Sequence, residues 1–146
     1  MLIRGFIVAK NKWYKDGLHF ECQQCCNCCS GPEEGVIWIS KQEIEKLAEH
    51  LNMTPQELHT KYLRRIGLRI SIKENQTTKD CIFLCRNGNS KGCAIYNFRP
   101  IQCRTWPFWT YNLHSIDDWN TAAQKCPGIN KGRIYTIDEI EKLKNM

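Results

Sequence analysis

Cys22, Cys25, Cys26, Cys28 and Cys29 place five thiols within eight residues, and Cys81, Cys85, Cys93, Cys103 and Cys126 follow singly along the rest of the chain. Thiols this dense cannot bridge one another with relaxed disulfide geometry, which needs Cα atoms about 4.4–6.8 Å apart and converging Cβ vectors. They suit a thiophilic ion or an iron–sulfur cluster, whose ligands are thiolates gathered on one centre. Cys22, Cys25 and Cys28 are separated by two-residue gaps, so a tight turn can aim successive sulfurs at one point. Cys28 and Cys29 are adjacent, and in extended backbone neighbouring side chains point oppositely, which assigns the two to different irons or different metal centres. A polynuclear or two-centre arrangement therefore fits this pattern better than a single zinc.

The elements that must position these thiols are short. An apolar run over residues 2–9 reads as a β-strand; it is too short to span a bilayer and lacks a signal-peptide cleavage pattern. The expected compartment is then the reducing cytoplasm, where clustered cysteines hold metals more often than they form disulfides. Residues 36–39 read as a short buried strand. Ser40 with Glu43 and Thr54-Pro55 with Glu57 are capping boxes that open two tandem helices, carrying Ile44, Leu47, Ala48 and Leu51, then Leu58, Tyr62 and Leu63. Leu68, Ile70 and Ile72 alternate with Arg69, Ser71 and Lys73, as a half-buried strand would. Residues 81–93 contain Ile82, Phe83 and Leu84, then Asn87-Gly88 and Gly92, a strand, a turn and a returning strand. Pro100 can open a short helical turn that ends near Pro107. Ser115 with Asp118 and Thr136 with Glu139 begin two further helices. The expected fold is a small α+β domain over residues 1–146, with short helices and a small sheet organised around a cysteine-ligated metal centre.

The ordered motifs Phe20-x-Cys22-x-x-Cys25-x-x-Cys28-Cys29, Cys81-Ile-Phe-Leu, Cys93-Ala-Ile-Tyr96, Arg99-Pro-x-x-Cys103-Arg104 and Cys126-Pro-Gly closely resemble the CxxCxxCC family of zinc- or iron-chelating proteins, the YkgJ-type cysteine-cluster proteins. The resemblance runs over about residues 13–132. It implies eight metal ligands, here Cys22, Cys25, Cys28, Cys29, Cys81, Cys93, Cys103 and Cys126. Cys26 stands where such proteins carry another residue, often glycine, and Cys85 has no counterpart, so both are read as spare.

Zinc and iron both remain open. The ferredoxin-like spacing, the Cys126-Pro127 dipeptide and a ligand set without histidine favour an iron–sulfur group, 4Fe-4S and in one or two centres. An all-cysteine site is equally normal for structural zinc, which lends folding energy to small domains. The formal charge of +6 counts every thiol as neutral. Eight thiolates on two zinc ions, or on two clusters of charge +2, add about −4 and leave the loaded chain near about +2. Lys12, Lys15, Arg64, Arg65 and Arg69 are spread along the chain, so a solvated surface is favoured over a nucleic-acid stripe.

Arg99 and Arg104 flank Cys103 and could donate hydrogen bonds to thiolate sulfur, tuning affinity or potential. Tyr96, Trp106, Phe108 and Trp109 read as core rather than as a shield for a cluster. Among His19, His50, His59 and His114, only His19 is placed to approach a metal. No serine, histidine and acid constellation and no paired carboxylates stand out, so hydrolase chemistry has no warrant, nor does a nucleotide loop appear. Three roles follow from the thiols: an accessory or redox protein with a cluster, an enzyme with an incompletely ligated iron, or an interaction domain stiffened by closed zinc. Each implies a protein or redox partner of unknown identity and no membrane.

Overall fold

The computed structural model describes residues 11–146, so the strand expected at residues 2–9 lies outside the described residues. In chain order the elements are β1 Leu18–Phe20, α1 Lys41–His50, α2 Pro55–Tyr62, β2 Leu63–Ile66, β3 Arg69–Ile72, β4 Leu84–Asn87, β5 Ser90–Cys93, α3 Ile101–Thr105, α4 Thr110–Leu113, α5 Ile116–Lys125, β6 Ile129–Tyr135 and α6 Ile137–Lys144. The strands form three antiparallel pairs, β1 with β6, β2 with β3, and β4 with β5. The fold class is mixed α+β, as the sequence pattern implies. The described chain gathers into two compact units, residues 26–104 and residues 11–25 together with 105–146.

In the unit made from both chain ends, β1 and β6 meet with Leu18 opposite Tyr135, and the register shifts between His19 and Phe20. Gly132 lies on β6 at φ +73°, and a Cβ there would overlap the Glu21 Cβ, so only glycine serves. Phe20, Phe108, Trp119 and Ile140 form the core, with Phe108 stacked on Trp119 at 5.8 Å between ring centroids. Trp119 and Ala122 are buried on α5, as the helical period requires. Phe108 is core, and Trp106 packs against that core.

In the unit of residues 26–104, both expected capping boxes are formed. Ser40 and Thr54 accept from the amides of Glu43 and Glu57, whose carboxylates accept from the cap amides in return. Ile44, Leu47 and Ala48 of α1 meet Leu58 of α2 in one apolar cluster with Ile72, Phe83 and Ile95. The chain at residues 37–39 lies along β3, with the Ile39 amide donating to Ile70 and the Ile72 amide to Ile37, although only Trp38 and Ser71 make a formal bridge.

Two details differ from the sequence pattern. Leu63 leaves the helix and opens β2, because the chain turns there into a hairpin that the helical spacing does not reveal. The alternation at 68–73 is also offset. Leu68 sits in the hairpin turn at 93% exposure, whereas polar Ser71 is fully buried. Ser71 tolerates burial because its hydroxyl accepts from the Ile37 amide at 3.1 Å and donates to the Ile72 carbonyl at 3.1 Å.

Candidate metal centre

Five of the eight expected ligands belong to the unit of residues 26–104, on four separate segments. Cys28 and Cys29 lie on a 3-10 turn over Asn27–Cys29, Cys81 precedes β4, Cys93 ends β5 and Cys103 stands on α3. The turn is pinned to the β4–β5 region by several contacts. The Cys81 amide donates to the Cys29 carbonyl at 2.8 Å. Lys91 Nζ donates to Asn27 Oδ1 at 3.0 Å and to Ser30 Oγ at 3.1 Å. The Gly31 amide donates to Asp80 Oδ1 at 2.9 Å, and Arg86 pairs with the same carboxylate at 2.8 Å. Gly31 has no room for a side chain, since a Cβ would overlap the Thr78 carbonyl oxygen.

α3 is held from the other side. Glu43 of α1 accepts from the Ile101 amide at 2.6 Å through one carboxylate oxygen and from the Ser40 amide at 2.8 Å through the other. One acid thus caps its own helix and satisfies an open amide at the start of the helix bearing Cys103. Gln102 fastens the same helix to the extended segment, accepting from the Trp38 amide at 2.8 Å and donating to the Val36 carbonyl at 2.9 Å.

The thiols so positioned feel one another. Cys28 and Cys29 have their sulfurs 3.8 Å apart. The hydrogen bond from Cys29 pulls the Cys28 thiol down to about 7, helped by the charges of Arg99 and Lys91 against the opposing effect of burial. Cys29 is pushed well up by donating that bond, then by burial and by the charges of Cys28, Cys81 and Cys103. Burial raises Cys81 to about 11, with Cys93 and Cys28 adding to the effect. Burial likewise raises Cys103 to about 12, reinforced by Cys81, Cys28 and Cys93 and opposed by Arg99. Cys93 is raised by burial, with Arg99 opposing. Five thiols therefore lie within electrostatic reach of one another, and their thiolates repel.

Among the described residues, no three Cys, His, Asp or Glu side chains stand as a closed metal-binding group. The thiols are neighbours rather than a finished coordination shell. Their donor chemistry nevertheless fits zinc or an iron–sulfur group, because a cation relieves the repulsion that thiolates suffer when brought together.

The other three expected ligands belong to the second unit. Cys22 is exposed, Cys25 half-buried and Cys126 buried, with Trp106 Nε1 donating to the Cys126 sulfur at 3.4 Å. His19 donates through Nδ1–H to the Gly132 carbonyl, 2.8 Å away, since a carbonyl oxygen can only accept. Of the two cysteines that the sequence reading leaves outside the ligand set, Cys85 is exposed on β4, and Cys26 is buried in the left-handed region at φ 59°. That backbone explains why glycine suits position 26.

Arg99 and Arg104 separate in the structure. Arg99 stacks on the Tyr96 ring at 3.9 Å and donates to the Tyr96 carbonyl at 2.9 Å, and its charge reaches three of the thiols. Arg104 lies 3.9 Å from Glu43. Lys91, Asp80 and Glu43 escape sequence reasoning. Each acts on a segment tens of residues away, and nothing in its own neighbourhood signals this.

Comparison with known proteins agrees with the cysteine pattern. A protein of Methanocaldococcus jannaschii described as uncharacterized is 30% identical over 95 residues, which cover 65% of this chain and 48% of that protein. The chain thus spans about half the length of the curated relative it matches. No solved structure matches. The family model CxxCxxCC, described as "Putative zinc- or iron-chelating domain", matches residues 21–127. That match takes in all eight expected ligands and most of the chain, and the protein belongs to the CxxCxxCC family.

Proposed function

We propose that this protein carries an iron–sulfur group on cysteine thiolates and serves an accessory or redox role. The proposed ligands are Cys22, Cys25, Cys28, Cys29, Cys81, Cys93, Cys103 and Cys126. The observation that carries the reading is the turn bearing Cys28 and Cys29, whose sulfurs stand 3.8 Å apart and whose Cys29 carbonyl accepts from the Cys81 amide at 2.8 Å, in the unit that also holds Cys93 and Cys103. Five soft donors exceed the four that one tetrahedral zinc or one cluster takes, and the ferredoxin-like spacing of Cys22, Cys25 and Cys28, the Cys126-Pro127 dipeptide and the absence of histidine from the proposed ligands favour the iron–sulfur group. When bound, an iron–sulfur group supplies one-electron chemistry. The polypeptide supplies donors, partial burial and the cations Arg99 and Lys91, which offset thiolate charge.

A structural zinc reading has its own support. Cys81 and Cys93 pack directly against the apolar cluster of Leu47, Leu58 and Phe83, so any metal on them would also brace that core. A closed four-thiolate zinc leaves no position for activated water, and the protein would then be an interaction domain.

Anaerobic purification with metal and acid-labile sulfide analysis separates the readings. Brown protein with iron and sulfide, absorbing near roughly 400 nm and bleaching on reduction, supports the redox reading. Colourless protein with stoichiometric zinc from anaerobic, iron-supplied cells supports the structural one. Folded protein with free thiols and neither metal defeats both.

A further inference from the structure

The β2–β3 hairpin carries features that the thiol set does not use. Lys61, Arg64, Arg65, Arg69 and Lys73 fall within residues 61–73, a stretch with no acidic residue. Beside it lies an open cleft of about 470 Å³ between α2 and the hairpin, floored by Leu63 and Ile70 and rimmed by His59, Arg64 and Arg65. At its tip Leu68 is 93% exposed and Ile66 is 37% exposed.

The two edges of the hairpin differ. The outer edge of β3 is covered by residues 37–39. Among the described residues, β2 pairs with no strand except β3. Ile70 and Ile72 direct their backbone polar groups to residues 37–39. Arg65 and Leu63, their partners across the ladder, must by antiparallel alternation direct theirs to the opposite, open side. The Leu63 amide is taken by His59 at the end of α2. Among the described residues, the Arg65 amide and carbonyl and the Leu63 carbonyl remain as a short unpaired edge above the cleft.

We propose that β2 is a docking edge for an extended segment of a partner protein in which acidic and apolar residues alternate. Added strands bind through main-chain hydrogen bonds and gain specificity from alternate side chains. Side chains alternate across a strand, so the acidic residues of the incoming segment would meet Arg65 on the face that also carries Leu63 and Ile70, and its apolar residues would meet Ile66 on the opposite face, with Leu68 extending that contact at the turn. The cations of this hairpin that hold the protein together are already engaged: Arg64 bonds the Gly35 carbonyl at 2.8 Å, Lys73 the Thr60 carbonyl at 2.6 Å, and Arg69 covers Trp38 at 4.1 Å. Arg65 is exposed and turned toward the cleft. A single-stranded nucleic acid would need open aromatic faces on which to stack. Trp38 is covered by Arg69, and Tyr62 lies against Phe83 at 4.8 Å between centroids. A protein segment is the occupant that charge and shape together favour.

The test uses the whole metal-loaded protein and fluorescence anisotropy with a labelled twelve-residue peptide alternating Glu with Val and Leu. Controls are the same peptide with Lys for Glu, the acidic peptide N-methylated at alternate residues, a twenty-nucleotide single-stranded RNA and vesicles of anionic lipid. The acidic peptide should bind, and its affinity should fall as salt rises. The Lys peptide and the N-methylated peptide should fail to bind. Arg65→Glu and Leu68→Ser should each weaken binding, the first by about tenfold or more, with unchanged melting temperature. Lys125→Glu, the same charge change in the other unit, should leave binding within about twofold. The proposal is overturned if the acidic peptide does not bind, if N-methylation or Arg65→Glu leaves its affinity unchanged, or if RNA or vesicles bind more tightly than the peptide. None of these outcomes depends on whether the metal is zinc or iron.

Discussion

Cys28 and Cys103 show how a thiol's neighbours determine its use. Cys28 has the Cys29 sulfur at 3.8 Å and the charges of Arg99 and Lys91 within reach, which lower its thiol against the opposing effect of burial. Cys103 is held by α3 among Cys81, Cys28 and Cys93, where charge is disfavoured unless a cation compensates it. Cys28→Ser or Cys103→Ser should lower metal content and lower the melting temperature together, by about 5 °C or more, since metal binding is folding free energy in such a domain. Elemental analysis beside a thermal melt checks this. Cys85→Ser should change neither quantity, because Cys85 is exposed on β4 and has no counterpart among the ligands the family resemblance implies. Unchanged metal content in Cys103→Ser would remove that residue from the ligand set.

At the scale of elements, capping is the device that recurs. Glu57 and Glu43 make the same capping box, but only Glu43 also reaches the Ile101 amide and Arg104. Glu57→Ala should cost about 1 kcal/mol, the usual worth of a cap. Glu43→Ala should cost about 2–3 kcal/mol, because it also leaves the half-buried Ile101 amide unpaired at the start of α3. Urea melts of the two variants compare them directly. Equal losses would mean that Glu43 acts on α1 alone. If α3 does position Cys103, Glu43→Ala should also weaken metal retention in a chelator competition, whereas Glu57→Ala should not.

Over the whole molecule, charge and metal set the conditions for stability. Glu141 accepts from Tyr14 at 2.6 Å and lies 2.7 Å from Lys12, tying α6 to the start of the described chain. Burial opposes ionisation of Glu141, but the hydrogen bonds from Lys12 and Tyr14 outweigh it and hold the carboxyl below its usual range. A lowered folded value means stability that is present above the usual carboxylate range and lost as pH falls through the depressed one. The gap in stability between wild type and Glu141→Gln should therefore be constant near neutral pH and shrink on acidification below about 4.5. Denaturation series at several pH values measure it. Metal removal should act unevenly. Stripping with a strong chelator should lower the melting temperature, and hydrogen exchange should show the larger loss of protection in residues 26–104, which hold five of the eight proposed ligands. Uniform loss over both units would argue against a centre built on those five.

The sequence by itself determined the chemistry and most of the local structure. Thiol spacing identified the metal class and the family, since ligand type and short gaps are one-dimensional information. The capping boxes at Ser40, Thr54 and Thr136 each open a helix because their hydrogen bonds span three residues. Only tertiary structure decided that β1 pairs with β6 more than a hundred residues away, that Ser71 is buried while Leu68 is exposed, and that Cys28, Cys29, Cys81, Cys93 and Cys103 gather as one set. It also revealed the roles of Lys91, Asp80 and Glu43 between distant segments. Those features depend on contacts between distant segments, and periodicity along a chain records only which face a residue takes, not what will lie against it.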